Sequence, residues 1–210
     1  MALFPALALA AACALPAARV TDSTSWQTVF DKGLPYREFL AKAVARREGW
    51  LRITDSTRVD AALVQRARAV AGSWRLLVVA VDRCGDSMNS VPYLAALTDS
   101  VPAIGLRVVH PDDGKAVQQA HRSLDGRTAT PTIVLLRADG TSAGCVVELP
   151  RALREWSQAA RTAKVSSDSL HNYQRTWYAG NRGVGIATEA VEMLEAAASG
   201  RVHCARGETP

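Results

Sequence analysis

Along the first third of the chain the apolar positions recur at helical spacing. In "LPYREFLAKAVARREG" Tyr36, Phe39, Leu40, Ala43 and Val44 share one stripe, which predicts a single helix that buries this face and stops at Gly49. "DSTRVDAALVQRARAVAG" places capping residues ahead of a second stripe, Val59, Leu63, Ala67 and Val70, and ends at Gly72. Residues 22–33 are polar and read as an entry segment.

The period then changes. "RLLVVAV" (75–81) is short, continuous and β-branched, the pattern of a strand buried on both faces. A helix is expected over 86–99, a second strand near "IGLRVVH", and a third helix over 113–124. "PTIVLLRADGTSAGCVVEL" reads as a hairpin turning at Ala138-Asp139-Gly140. Pro150 opens a helix in "PRALREWSQAARTA", and "DSLHNYQRTWYAGN" and "GIATEAVEMLEAAASG" predict two more. The order β-α-β-α-β-β calls for a mixed α/β sheet, with a parallel pair joined by a crossover and an antiparallel hairpin. Trp156, Tyr173, Trp177 and Tyr178 recur at helical spacing and read as core packing.

Composition adds little to this picture. With 48% hydrophobic and 21% charged residues in 210, the chain is an ordinary globular one. The net charge of +5 permits an anionic partner, but the arginines are scattered among acids. No basic run or aromatic platform accompanies them, so no nucleic-acid partner is expected. Residues 1–18, "MALFPALALAAACALPAA", carry no charge and resemble the apolar region of a signal peptide, although no Lys or Arg precedes it. Export to the periplasm is the expectation if they are one. A cytoplasmic protein starting near Val20 is the alternative. Membrane attachment would require lipidation at Cys13.

Without the leader three cysteines remain, Cys84, Cys145 and Cys204, an odd number with no C-x-x-C pair. Neither a disulfide framework nor a zinc site follows from such spacing. Cys145, within a strand, reads as inert packing, and Cys204, in a tail expected to be mobile, as incidental, although it could reach another thiol. The histidines, His110, His121, His171 and His203, are far apart and read as surface or core residues, so no metal is expected.

Cys84 is different. In "VVAVDRCGDSMNSVPYL" it stands where a strand stops and a helix begins. A thiol there meets unsatisfied N–H groups and the positive end of the helix dipole, both of which favour its anionic form. Arg83 adds a positive charge, and the Ser87 hydroxyl is in reach to donate to the sulfur. Asp82 and Asp86 act in the opposite sense, and Asp86 can instead serve as an acid in the first helical turn.

Over roughly residues 70–150 the chain resembles the thioredoxin superfamily. The resemblance lies in the buried strand, "CGDS" at its end, the helix that continues from it with Pro92 eight residues on, and "ATPT" before the hairpin. It resembles a bacterial thioredoxin-like subgroup with helical additions at both ends. The resemblance implies a thioredoxin-like fold with a core over 73–150, an N-terminal helical extension over 22–72 and a C-terminal helical extension over 151–200; the residues themselves set apart 1–18 as the signal-peptide candidate and 201–210 as a flexible tail. The resemblance further implies that Pro131 follows a cis peptide bond and faces the Cys84 sulfur.

The sequence departs from that family's pattern. Ser87 stands in place of the second cysteine, Arg83 in place of a tryptophan, and Val78 in place of a buried acid. The resemblance therefore implies a monothiol oxidoreductase: Cys84 the nucleophile, Ser87 assisting it, and Arg83, Gly85, Asp86, Thr130 and Pro131 lining the substrate groove. Its partners would be protein or small-molecule thiols and disulfides. No cofactor would be bound, and an external thiol such as glutathione would resolve the mixed disulfide. Two other functions fit the same residues: a thioredoxin-fold binding module with a vestigial Cys84, and a sensor in which Cys84 is oxidised to sulfenic acid.

Overall fold

The structure, a computed structural model, describes residues 25–204. The expectations for the leader and for Cys13 lie outside these residues. Among the described residues no helix is long and apolar enough to cross a membrane.

Strand β1 (Trp74–Val79) sits inside the sheet because nearly every side chain it carries is apolar, and both of its faces are covered. It pairs in parallel with β2 (Ile104–Val109) through the crossover helix α5 (Gly85–Ser100), and antiparallel with β3 (Thr132–Leu136). A hairpin joins β3 to β4 (Ser142–Val147), its turn closed by Gly140 at φ +81°, a conformation glycine adopts without steric cost. The full sheet order is β2-β1-β3-β4-β5, and the short edge strand β5 (His203–Cys204) runs parallel to β4.

Strand alternation divides the core into two layers. Leu76, Val78, Ile133 and Leu135 face one layer, where they meet α5 together with α9 (Val184–Ala198), α3 (Arg47–Ser56) and α4 (Ala61–Ala69). Leu77, Val79, Val134 and Leu136 face the other, with Trp26, Phe30 of α1 (Gln27–Lys32) and Val117 of α6 (Pro111–Ala120). Helix α1 corrects the reading of 22–33 as merely polar, since Trp26 and Phe30 are both buried.

The single helix expected over 34–49 is two. Helix α2 (Tyr36–Lys42) ends at an extended Ala43, and α3 begins after Arg46, which is left-handed at φ 54°. The break has a tertiary cause: Asp82 Oδ2 accepts from the Val44 and Ala45 N–H groups, at 2.8 Å each. Arg47 donates to the carbonyls of Leu40, Ala41 and Ala43, which occupies the open end of α2. Val44, expected on the buried stripe, is thereby turned out and is 84% exposed. Gly49 does not stop the helix. It lies inside α3, where a Cβ would come within 2.5 Å of Met88 Sδ, so its lack of a side chain lets α3 close on α5.

Beyond the hairpin come α7 (Arg151–Thr162), α8 (Ser167–Asn181) and α9. Arg154 of α7 pairs with Glu189 of α9 at 2.7 Å, and both side chains are largely buried. Burial alone would raise the Glu189 carboxyl, but His203 and Arg154 outweigh it and hold it below the usual range. Trp156 and Tyr173 stack between α7 and α8 with ring centroids 3.6 Å apart.

Candidate functional site

The turn that leaves β1 carries Asp82, Arg83 and Cys84. Cys84 is the N-cap of α5, in extended conformation, and its sulfur accepts from the Ser87 backbone N–H at 3.4 Å. The N-cap position normally uses a side-chain oxygen to satisfy the free amides of the first turn. Here sulfur does so. The thiol in turn donates to the Thr130 carbonyl at 3.1 Å. The Thr130–Pro131 peptide bond is cis, Pro131 is buried, and its carbonyl accepts from Glu148 N at 2.8 Å. The loop ahead of it is held by Gln118 and Thr132, which both donate to the Ala129 carbonyl. Residues 46 positions apart in sequence, Cys84 and Thr130, are thus in contact.

Ser87 occupies the place beside the sulfur, but its hydroxyl does not make the bond expected of it. The backbone N–H does. The side chain is fully buried, and its oxygen has no hydrogen-bond partner among the described residues. Arg83 is exposed, and Gly85 is half-buried at the mouth of the turn.

The two acids of the motif face different neighbours. Asp82 is partly desolvated, which raises its carboxyl, but the N–H groups of Val44, Ala45 and Arg83 outweigh this and hold it below the ordinary range. Asp86 goes the other way. Burial pushes it up to about 6, with Glu148 adding to the rise, while the Tyr178 hydroxyl, His171 and Arg161 oppose it. Tyr178 of α8 donates to Asp86 Oδ1 at 2.9 Å. Its own burial and the Asp86 charge raise it above the ordinary tyrosine range, so it remains a donor at all working pH values.

The extensions therefore reach the turn from both sides. Trp50 Nε1 donates to the Asp82 carbonyl and Arg46 Nε to the Arg83 carbonyl, each at 2.8 Å. None of Arg46, Trp50 or Tyr178 was expected at the site. Tyr178 lies in an aromatic run whose spacing signals packing, and no sequence signal separates it from its neighbours.

Of two cavities on the described surface, the larger takes in Asp82 of the turn. One of about 340 Å³ is lined by Ser123, Glu148, Leu149, Arg154, Ser157 and Arg161 among others. The other, of about 420 Å³, is lined by Lys32, Phe39, Lys42, Asp82 and His110 among others. Both are of a size that admits a small ligand.

The remaining described cysteines overturn the expectation of unpaired thiols. Cys145 of β4 and Cys204 of β5 form a disulfide across 59 residues, so neither is inert packing nor incidental. Strand pairing places Cys145 opposite Cys204 with their Cα atoms 4.4 Å apart, a proximity set by topology that spacing in the sequence does not report. Cys84 is the one free cysteine among the described residues.

Beside this geometry, a mixed sheet with a crossover helix that starts at a cysteine, stands the match of the chain to a family model. That model, described as Thioredoxin, matches residues 33–161, more than half of the chain. The chain belongs to the thioredoxin superfamily. Its fold is similar to that of a protein of unknown function from Pseudomonas aeruginosa, with a TM-score of 0.65 and 20% identity over 83% of this chain and 99% of that one. It is also similar to an HIV epitope-scaffold, with a TM-score of 0.63 and 20% identity over 82% of this chain and 98% of the scaffold. No curated protein matches the chain.

Proposed function

We propose that the protein carries out thiol–disulfide exchange with Cys84 as a single nucleophile. The observation that supports this best is the double engagement of its sulfur, by the Ser87 N–H on one side and the Thr130 carbonyl on the other. The thiol has an acceptor for its proton-bearing state, and the sulfur has an N–H aimed at it for the state in which it attacks. The thiolate is the attacking form.

In the reaction, Cys84 sulfur displaces one sulfur of a substrate disulfide, forming a mixed disulfide and releasing one substrate thiol. Ser87 offers no second thiolate, so an external small thiol such as glutathione displaces Cys84 and leaves as the disulfide with the substrate. Thr130 and Pro131 form one wall of the groove, and Arg83, Gly85 and Asp86 the other. An extended substrate segment can lie along the Thr130 backbone in the manner of an added strand.

The test is trapping. Incubation with a model disulfide substrate should accumulate a covalent adduct that glutathione releases, and Cys84→Ser should form none. Absence of adducts, together with partner binding that survives Cys84→Ser, would instead make the protein a binding module of the same fold.

A further inference from the structure

We propose that Cys145, Cys204 and His121 form a redox-gated zinc site: the reduced cysteine pair and the imidazole hold the ion, and disulfide formation expels it. The ligand atoms of these three residues all lie within 4.8 Å of one another. They arrive from three places in the fold, the middle of β4, the edge strand β5 and the residue that ends α6. The cysteine pair lies in the core layer opposite to that of α5, away from Cys84.

The donor set selects the ion. Two thiolates and one imidazole are a combination of borderline and soft ligands that suits zinc, at Zn–S distances of about 2.3 Å and Zn–N of about 2.0 Å. Three protein ligands leave a fourth position for water. Charge balance favours the same choice. His121 and Cys145 are buried beside Trp26, Phe30 and Val147, where an unbalanced charge would be costly. A divalent cation with two thiolates and a neutral imidazole carries no net charge.

The gate follows from the strand that supplies Cys204. Strand β5 has two residues and pairs only at the sheet edge, through Gly144–His203 and Cys145–Cys204. Once the sulfur–sulfur bond is broken, Cys204 can draw back from Cys145 without disturbing the sheet interior. Reduction by a thiol or phosphine delivers two electrons and two protons to the pair, and zinc binding then releases two protons. In the reverse direction an external disulfide accepts two electrons from the zinc-bound thiolates and takes up two protons. The Cys145–Cys204 bond forms, and two external thiols and the free ion are released.

The experiment uses the full chain, oxidised or reduced with a water-soluble phosphine, dialysed against zinc and analysed for bound metal. Cobalt serves as the spectroscopic probe. The reduced protein should bind one zinc per chain, and its cobalt form should show sulfur-to-metal charge transfer with the intense visible bands of a tetrahedral site. The oxidised protein should show neither. Cys145→Ser and Cys204→Ser should each lose the charge-transfer band or weaken binding at least about tenfold, and so should His121→Ala, with His121→Cys restoring it. Cys84→Ser and Cys13→Ser should bind as the wild type does. The comparison of oxidised with reduced wild type decides the matter even if a variant fails to fold. Equal binding in both states, no sulfur–cobalt band in the reduced state, or loss of binding in Cys84→Ser would each overturn the site.

Discussion

Tyr178, on a helix near the C-terminal end, donates its hydroxyl to Asp86, two residues past Cys84, and this one bond ties the last third of the chain to the turn that carries the free thiol. Asp86 is caught between burial, which favours its neutral form, and the phenol, which favours its anion. The balance between the two is open to measurement.

Tyr178→Phe should cost more when Asp86 is ionised than when it is neutral. A hydrogen bond to a charged acceptor is worth about 1.5–3 kcal/mol and a neutral one about 0.5–1.5 kcal/mol. Urea unfolding of wild type and variant at pH 8 and pH 4 should therefore give the larger difference at pH 8. Equal losses at both values would mean that the phenol acts by packing alone.

Asp86→Asn should stabilise the protein at neutral pH. The native carboxyl titrates near 6, whereas the unfolded one titrates near 3.9. As pH rises through this window the unfolded chain gives up the proton first. The favourable contribution of the neutral, folded Asp86 is complete below about pH 4 and is lost by about pH 6–7. Relative to wild type the variant should gain about 3 kcal/mol at pH 7.5, with the gain vanishing toward pH 4. A pH-independent difference would refute the assignment.

Ser87→Cys should convert stalled adducts into turnover. The hydroxyl it replaces is buried and has no hydrogen-bond partner among the described residues, so a thiol, the less polar group, is accommodated there. Insulin-type disulfide reduction should rise and adduct accumulation fall. The gain should be incomplete, because Val78, fully buried on β1, supplies no acid to take the proton of the new thiol. If the variant behaves as wild type does, Cys84 is not exchanging with the disulfide offered.

Two residues read as equivalent members of helical stripes should behave oppositely on truncation. Leu63→Ala, in the core layer against α9, should cost about 2–5 kcal/mol, whereas Val44→Ala should stay within about 0.5 kcal/mol. Thermal or denaturant midpoints of the pair decide this directly.

The contrast between Leu63 and Val44 shows where sequence reading reaches its limit. Strand β1, the hairpin and the helix after Cys84 were legible because apolar runs end at strong punctuation, Cys84-Gly85 at one place and Asp139-Gly140 at the other. That the Thr130-Pro131 loop faces Cys84 was legible only through the resemblance to the thioredoxin superfamily. The helix break at Val44–Ala45 was not, since its cause is a carboxylate nearly forty residues away. Helix α1 was missed because its anchors, Trp26, Phe30 and the partly buried Val29, stand in a segment that is polar elsewhere. The Cys145–Cys204 bond lacks any local spacing, and Tyr178 reads like the aromatic residues beside it.

The grip of Asp82 on the Val44 and Ala45 amides has a consequence for how the molecule opens and closes. Those two amides lie in an exposed connection between short helices, where fast solvent exchange is the ordinary outcome. Their partner, however, is fixed in the turn that leaves β1, and Trp50 and Arg46 add bonds to the same turn. Loss of protection at Val44 and Ala45 should therefore coincide with opening of the Cys84 turn rather than with fraying of α2. The connection and the turn behave as one cooperative opening unit, and a fragment beginning at residue 73 would lack half of it.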